Sequence, residues 1–361
     1  MNDLRPGSPQ EAGVSADKLN ILRESCSRWV SDGGTPALSV LTARKGIIFL
    51  HEAWGNLTPA PKSPPVQINS PMGMASCSKP VAAAAVMILV EQGRLALQDP
   101  LQGYIPEFEG PDSDKITIHH LLTHTSGLPI ITDSETTEFP ENGLDFQPGT
   151  EMIYSSLGYN LLGELVERIS GDPFEKFIQS HIFEPLGMQD STFIHVGLDR
   201  ERSILSRPGT TYNWPKEDEG IVSASSTLWS TAYDMAIFLQ TFLNRGRYGT
   251  YQLLSPAGVA AMTRNQVSGL PRELVEGVPI PPIGLGWFLL SSGQFPNYPR
   301  SFSTSSYGHS GSSGAFIWVD PAYDLIGAFL FTKIKETFRP LDVFVDSITG
   351  SIIDRTQNGT I

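Results

Sequence analysis

Strand-like runs at both ends of the chain, with helical spacing between them, predict an α/β (α+β) fold. One antiparallel sheet, flanked by helices and built from both chain ends, carries an inserted all-helical domain. Near the start, Ala37 to Thr42 and Gly46 to Glu52 read as two strands joined by a turn at Arg44-Lys45. Toward the end, Leu285 to Leu290, Ala315 to Val319 and Leu325 to Phe331 read the same way. Between them Ile118 to Thr123, Leu157 to Ile169, Pro173 to Ile182 and Ala232 to Leu243 have the spacing of helices. The expected division is residues 1–70 with 280–361 for the sheet domain and 71–279 for the mostly helical one, with a groove between them.

The first helix begins after Val14. Ser15 is its cap, and Leu19, Leu22, Cys26, Trp29 and Val30 form its apolar stripe until Gly33-Gly34 stops it. Pro59, Pro61, Pro64, Pro65 and Pro71 make the next stretch an extended connector, since proline lacks the amide that a helix interior needs. The connector delivers Gly73-Met-Ala-Ser76-Cys-Ser-Lys79-Pro80, and a long apolar helix follows through Val81, Ala85, Ile88 and Leu89 to Gly93. Pro80 fits only a first helical turn, whose amides have no partner, so Ser76 is placed at the helix N-terminus. Residues 269–283 read as a Pro/Gly-rich loop, and Leu341 to Ile353 as a last helix.

The chain has 361 residues, a formal net charge of −13 and a pI near 5.0, so it repels phosphate backbones and nucleic acid is a poor partner. The apolar run from Val81 to Val90 is too short to span a bilayer and reads as a buried helix. The N-terminus lacks the charged-then-apolar layout of a secretion signal, which places the chain as written in the cytoplasm. Cys26 and Cys77 are expected as reduced thiols.

Three motifs carry chemistry. In Ser76-x-x-Lys79 the two side chains share one helix face, and a desolvated lysine there has a lowered pKa and can take the serine proton. The pattern alone is weak: Ser15-x-x-Lys18 has it too, with the serine serving as an ordinary cap. Tyr154-Ser155-Ser156 opens a helix, and beside an ammonium its phenol is a candidate base. The plain alternative is a half-buried tether. Gly308-His309-Ser310-Gly311-Ser312 precedes a strand ending at Trp318-Val-Asp320-Pro321. It is either a plain turn or an edge that approaches a substrate closely, with the Ser312 amide joining that of Ser76 as an oxyanion hole. His119, His120 and His124 invite a metal reading, with His120 and His124 on one helical face, but no carboxylate or cysteine is spaced to complete a site. No metal and no cofactor are expected.

In order and spacing the three motifs resemble the class C β-lactamase and penicillin-binding-protein superfamily, above all its esterase branch, the family VIII carboxylesterases. Ile116-Thr-Ile-His-His-Leu-Leu-Thr-His-Thr-Ser-Gly-Leu128, Ile182-Phe-Glu-Pro-Leu-Gly-Met188, Ser230-Thr-Ala-Tyr-Asp-Met235 and Trp318-Val-Asp-Pro321 support the resemblance, which runs from about residue 10 to about residue 350. It implies a β-lactamase/transpeptidase-like fold and an acyl-enzyme on Ser76. It further implies Lys79 and Tyr154 as acid/base partners and the Ser76 and Ser312 amides as oxyanion hole. Ser156, His309, Ser310 and Gly311 are then the substrate-binding candidates.

Two departures shape the expected activity. Members that hydrolyse β-lactams well usually carry asparagine where this chain has Ser156, and lysine where it has His309. A histidine is mostly uncharged at pH 7 and does not attract the lactam carboxylate as a lysine does. The expected activity is therefore a carboxylesterase on small to medium esters. Acyl transfer to a small-molecule acceptor, or β-lactam or D-amino-acid peptide hydrolysis, are the alternatives. Tyr159, Trp229, Trp287 and Tyr307 are candidates for an acyl pocket, whose shape is expected to depend on loops 130–147 and 265–305.

Overall fold

The computed structural model describes residues 3–130, 137–195, 197–205, 222–275, 278–279, 281–290, 299–332 and 339–353. In chain order the elements that frame the site are β1 (Arg5–Pro6), α1 (Ala16–Ser31), β2 (Ala37–Arg44), β3 (Ile47–Gly55), α2 (Lys79–Glu91), α3 (Ser156–Ser170) and α4 (Ala232–Leu243). They continue with β4 (Phe288–Leu289), β5 (Tyr307–Ser310), β6 (Ala315–Asp320), β7 (Leu325–Phe331) and α5 (Arg339–Gly350). The seven strands form one sheet in the order β1-β3-β2-β7-β6-β5-β4. Every pairing is antiparallel except that of β1 with β3. Both chain ends thus meet in one sheet, at the β2–β7 seam where Val40 faces Phe329.

The sheet is covered on both faces, and the period of two in its strands shows how. Leu38 and Val40 of β2, Phe316 and Trp318 of β6, and Phe329 and Phe331 of β7 pack with Leu19, Leu22 and Cys26 of α1 and Leu341, Phe344 and Ile348 of α5. The alternating residues Leu41 and Ala43, Ile317 and Val319, and Ala328 and Leu330 face the other way, into the core shared with α2, α3 and α4. This is why β2 is buried at all eight positions rather than at every second one. In α2 every residue from Lys79 to Leu89 is buried, and its run of four alanines, Ala82 to Ala85, keeps the helix narrow where it packs on α3.

Several expected boundaries move. The hairpin strands are longer than read, with a register shift between Thr42 and Ala43 that absorbs an extra residue. The expected strand at Leu285 to Leu290 is reduced to Phe288–Leu289, because Gly286 turns at φ +84° and lies against Ala83 of α2. A Cβ on Gly286 would come within 2.6 Å of the Ala83 methyl, so only glycine allows this approach. The helix expected over 173–182 is α-helical only from Phe174 to Ile178 and continues as a π turn over Gln179–Phe183. The final helix runs Arg339–Gly350 rather than to Ile353. Within the expected loop 269–283, Arg272–Val275 pairs in parallel with Met152–Ile153. Ser15 caps α1 as expected, accepting from the Lys18 amide. Cys26 and Cys77 are separate buried thiols, and burial pushes the first up to about 12 and the second higher still. Among the described residues no helix is long and apolar enough to cross a membrane.

Candidate functional site

Ser76 sits not in α2 itself but in a 3-10 turn, Ala75–Ser78, that leads into it. The turn is entered through Ala75 at φ 47°, a left-handed conformation that an alanine adopts only when its surroundings enforce it. Two neighbours do so. Ser78 Oγ donates to the Ala75 carbonyl at 2.6 Å and accepts from the Leu228 amide at 3.1 Å. The Cys77 amide is bonded to Met74, which leaves the Ser76 amide one step ahead of the helical ladder, where it has no intrahelical acceptor.

Lys79 is the first residue of α2 and is 0 % exposed. Its Nζ donates to Ser76 Oγ at 3.4 Å and to the Ser225 carbonyl at 3.1 Å. It also lies 4.7 Å from the centroid of the Tyr154 ring and 5.5 Å from that of Tyr159. No carboxylate among the described residues pairs with it. Burial without a counter-charge favours the neutral amine and brings its pKa down from 10.5 to about 7. An ordinary lysine would be almost wholly protonated at neutral pH; here a large fraction is a free base beside a hydroxyl.

Tyr154 lies between the two-residue strand Met152–Ile153 and Ser155, the cap of α3, whose Oγ accepts from the Gly158 amide. The three motifs therefore meet. The third arrives on β5, where Cys77 Sγ donates to the His309 carbonyl at 3.3 Å and ties the strand to the serine turn. Gly311 completes the approach: a Cβ there would sit 2.2 Å from the Met74 carbonyl, so any side chain would push the strand off the turn. Ser312 follows in the turn between β5 and β6. Solvent reaches Ser76, Tyr154, Ser156, Ser310 and Ser312, all half-buried, while Lys79, His309 and Gly311 are closed off behind them.

His309 is 1 % exposed, its ring tilted against Phe288 at 4.6 Å and Tyr154 at 6.5 Å between centroids. Its Nδ1 lies 2.9 Å from the Ser310 carbonyl, so that nitrogen carries the proton and Nε2 is an acceptor. Burial, then the charge of Lys79, lowers its pKa to about 3, so the ring is uncharged at pH 7.

Two expectations are corrected. His120 and His124 do not share a helical face, because the helix there is only Ile118–Leu122 and His124 turns away at φ 57°. Instead His120 closes a capping box with Thr117, and His119 Nε2 lies 3.3 Å from Gln266 Oε1. Of the aromatic candidates, Tyr159, Trp287 and Tyr307 are buried in the main core, and Tyr159 hydrogen-bonds to the Leu122 carbonyl. Trp229 is also buried, paired through its backbone with Thr192 and Gly73. The loops 130–147 and 265–305 lie partly outside the described residues. The sequence reading missed the Ser225 carbonyl, for which a serine-rich loop offers no signal. It missed His124 as a neighbour of Tyr154, although its motif had been noticed.

An antiparallel sheet packed against a helical body, with a serine and a buried lysine at the head of the central helix, defines the class: this is a serine hydrolase superfamily fold. A family model described as Beta-lactamase matches residues 22–346, and the chain belongs to that family. It is 27 % identical over 376 residues to a putative D-alanyl-D-alanine carboxypeptidase of Salmonella schwarzengrund, covering 88 % of this chain and 83 % of the relative. Among solved structures it is similar to EstCE1, described as a hydrolase with promiscuous acyltransferase activity, with a TM-score of 0.74 and 20 % identity over 94 % of this chain and 99 % of that one. It is likewise similar to a family VIII carboxylesterase, with a TM-score of 0.74 and 18 % identity over 94 % of this chain and 98 % of that one. At these identities the structures speak to the fold.

Proposed function

We propose that the protein is a carboxylesterase that acts on small to medium esters through an acyl-enzyme on Ser76. The observation that carries this reading is the Lys79 amine, buried and with no carboxylate partner among the described residues, 3.4 Å from Ser76 Oγ. In its neutral form the amine, with the Tyr154 phenol close by, draws the hydroxyl proton as Ser76 attacks the ester carbonyl. The amides of Ser76 and Ser312 receive the oxyanion. The proton returns through Lys79 and Tyr154 to the departing alkoxide, and water then releases the acid. Lys79 and Tyr154 act as one coupled pair in this scheme. Ser156 and Ser310, both reached by solvent, line the substrate's path, with Gly311 closed off behind them.

The uncharged His309 ring supports esters over β-lactams, since it offers no cation to a substrate carboxylate. The same reasoning disfavours D-alanyl peptides, which end in a carboxylate. Transfer of the acyl group to a small alcohol uses the same residues, and the likeness to EstCE1 keeps it as the second reading. A panel of short-chain nitrophenyl esters, nitrocefin and a D-alanyl-D-alanine peptide tests the ranking. The esters are expected to be turned over at least about 100-fold faster in kcat/KM, a discrimination of roughly 3 kcal/mol. Nitrocefin turnover rivalling the best ester would overturn it. Adding methanol to the ester assay separates the two readings, because acid as sole product excludes transfer.

The pH profile follows from the lysine. Because burial lowers its pKa, the reactive neutral form accumulates as pH rises, so kcat/KM for an uncharged ester should climb along a limb centred near 7. A profile still climbing steeply toward pH 10 would show that Lys79 keeps its ordinary basicity.

A further inference from the structure

We propose that His124 is a positioning residue for Tyr154, gripping the backbone on both sides of it. The Ile153 amide donates to the His124 carbonyl at 3.1 Å, and the Ser155 amide donates to His124 Nδ1 at 3.1 Å. The imidazole lies across the phenol between those two bonds, with ring centroids 4.5 Å apart. One residue thus fixes the chain before Tyr154, the chain after it and the face of its ring. The grip is costly to build, which argues that it is not incidental. His124 adopts φ 57°, is 1 % exposed, and has Nε2 buried with no partner among the described residues.

The tautomer follows from the contacts. Nδ1 accepts from an N–H, so it carries no proton, and the neutral ring holds its proton on Nε2. Burial, and then the neighbouring ionisable groups Lys79 and His309, hold its pKa well below the usual range, so the accepting form persists. The loop around it reinforces the arrangement: Ser155 Oγ donates to the Pro129 carbonyl, and Tyr159 Oη to the Leu122 carbonyl. Tyr154 is therefore held by a residue about thirty positions earlier in the chain, just past the helix Ile118–Leu122, and the acceptor at Nδ1 is the part that no apolar ring can replace.

Two variants separate the acceptor from the ring. H124N keeps an acceptor near Nδ1, and asparagine tolerates the left-handed backbone. H124F keeps a ring on Tyr154 and removes the acceptor. With a nitrophenyl ester, H124F should lose roughly 10- to 100-fold in kcat with KM within about threefold, the cost of a misplaced catalytic group. H124N should keep kcat within about threefold of wild type. The assay rests on the proposed role of Tyr154, so hydrogen exchange of peptides spanning 153–158 supplies an arm that does not. Exchange there should quicken in H124F and stay slow in H124N, and this reading stands even if wild type hydrolyses no ester. Wild-type kcat and protection in H124F would overturn the proposal. So would an H124N variant that is unfolded, or as slow and as exposed as H124F; if H124F itself does not fold, H124N decides.

Discussion

Replacing Ser76 with alanine is expected to lower kcat/KM for a short-chain nitrophenyl ester by on the order of 10⁴ to 10⁶, while the fold stays intact. The size follows from what the hydroxyl does. A covalent route divides one hard displacement into two easier ones, and without the nucleophile only binding and the oxyanion amides remain, which typically leaves about 10³ to 10⁴ over water. The fold should tolerate the change because Ser76 is half-buried and its Oγ meets Lys79 at 3.4 Å, long for a stabilising bond. The Ala75 and Ser78 contacts that shape the turn do not involve the Ser76 side chain. A variant that keeps a tenth of wild-type activity while folding normally would remove Ser76 from the chemistry.

Replacing Lys79 with methionine should divide activity from stability. Activity is expected to fall by on the order of 10³ to 10⁴, as for loss of a positioned base. Stability should rise, and the sign comes from linkage. The folded-state pKa of about 7 lies below the ordinary 10.5, so between those values the unfolded chain binds more protons than the folded one. Stability therefore rises with pH across that window, and below it the full penalty for burying the amine applies. That penalty is on the order of 5 kcal/mol near pH 6. Methionine removes it but strands the Ser225 carbonyl, which costs about 1 to 3 kcal/mol. The net gain should appear as a melting temperature higher by about 2 to 6 °C at pH 6, shrinking as pH approaches 10. A lower melting temperature at pH 6 would mean that the amine is not buried unpaired as described. A stabilised, inactive variant is the signature of a group kept for chemistry at the expense of the fold.

The sheet could be read from sequence because its strands obey simple periods. The runs at Ala37, Ala315 and Leu325 are apolar on both faces, which only a covered strand can be. The Arg5–Pro6 strand escaped notice because two residues at an edge, one of them proline, carry no pattern. The catalytic candidates were legible because motifs record chemistry: Ser76, Lys79 and Tyr154 are spaced for it, and Pro80 marks where the helix must start. What could not be read was the means of support. Ala75 looks like any alanine, and its φ of 47° exists only because Ser78 and Leu228 close around it. The shared face of His120 and His124 does not form, because a helix read through Thr123 and carried on to His124 stops at Leu122. Thr123 instead returns its hydroxyl to the His119 carbonyl at 2.7 Å and the helix ends at Leu122. Long-range backbone contacts, such as the Ser225 carbonyl on Lys79, have no local trace in sequence.

All of this depends on a covalent bond forming at one oxygen. Incubating the protein with a fluorophosphonate and mapping the adduct by peptide mass spectrometry measures that bond directly. The account predicts a single adduct on the peptide carrying Ser76, forming faster as pH rises through 7 and absent in the alanine variant. An adduct on another residue, or none on a folded protein, would contradict it.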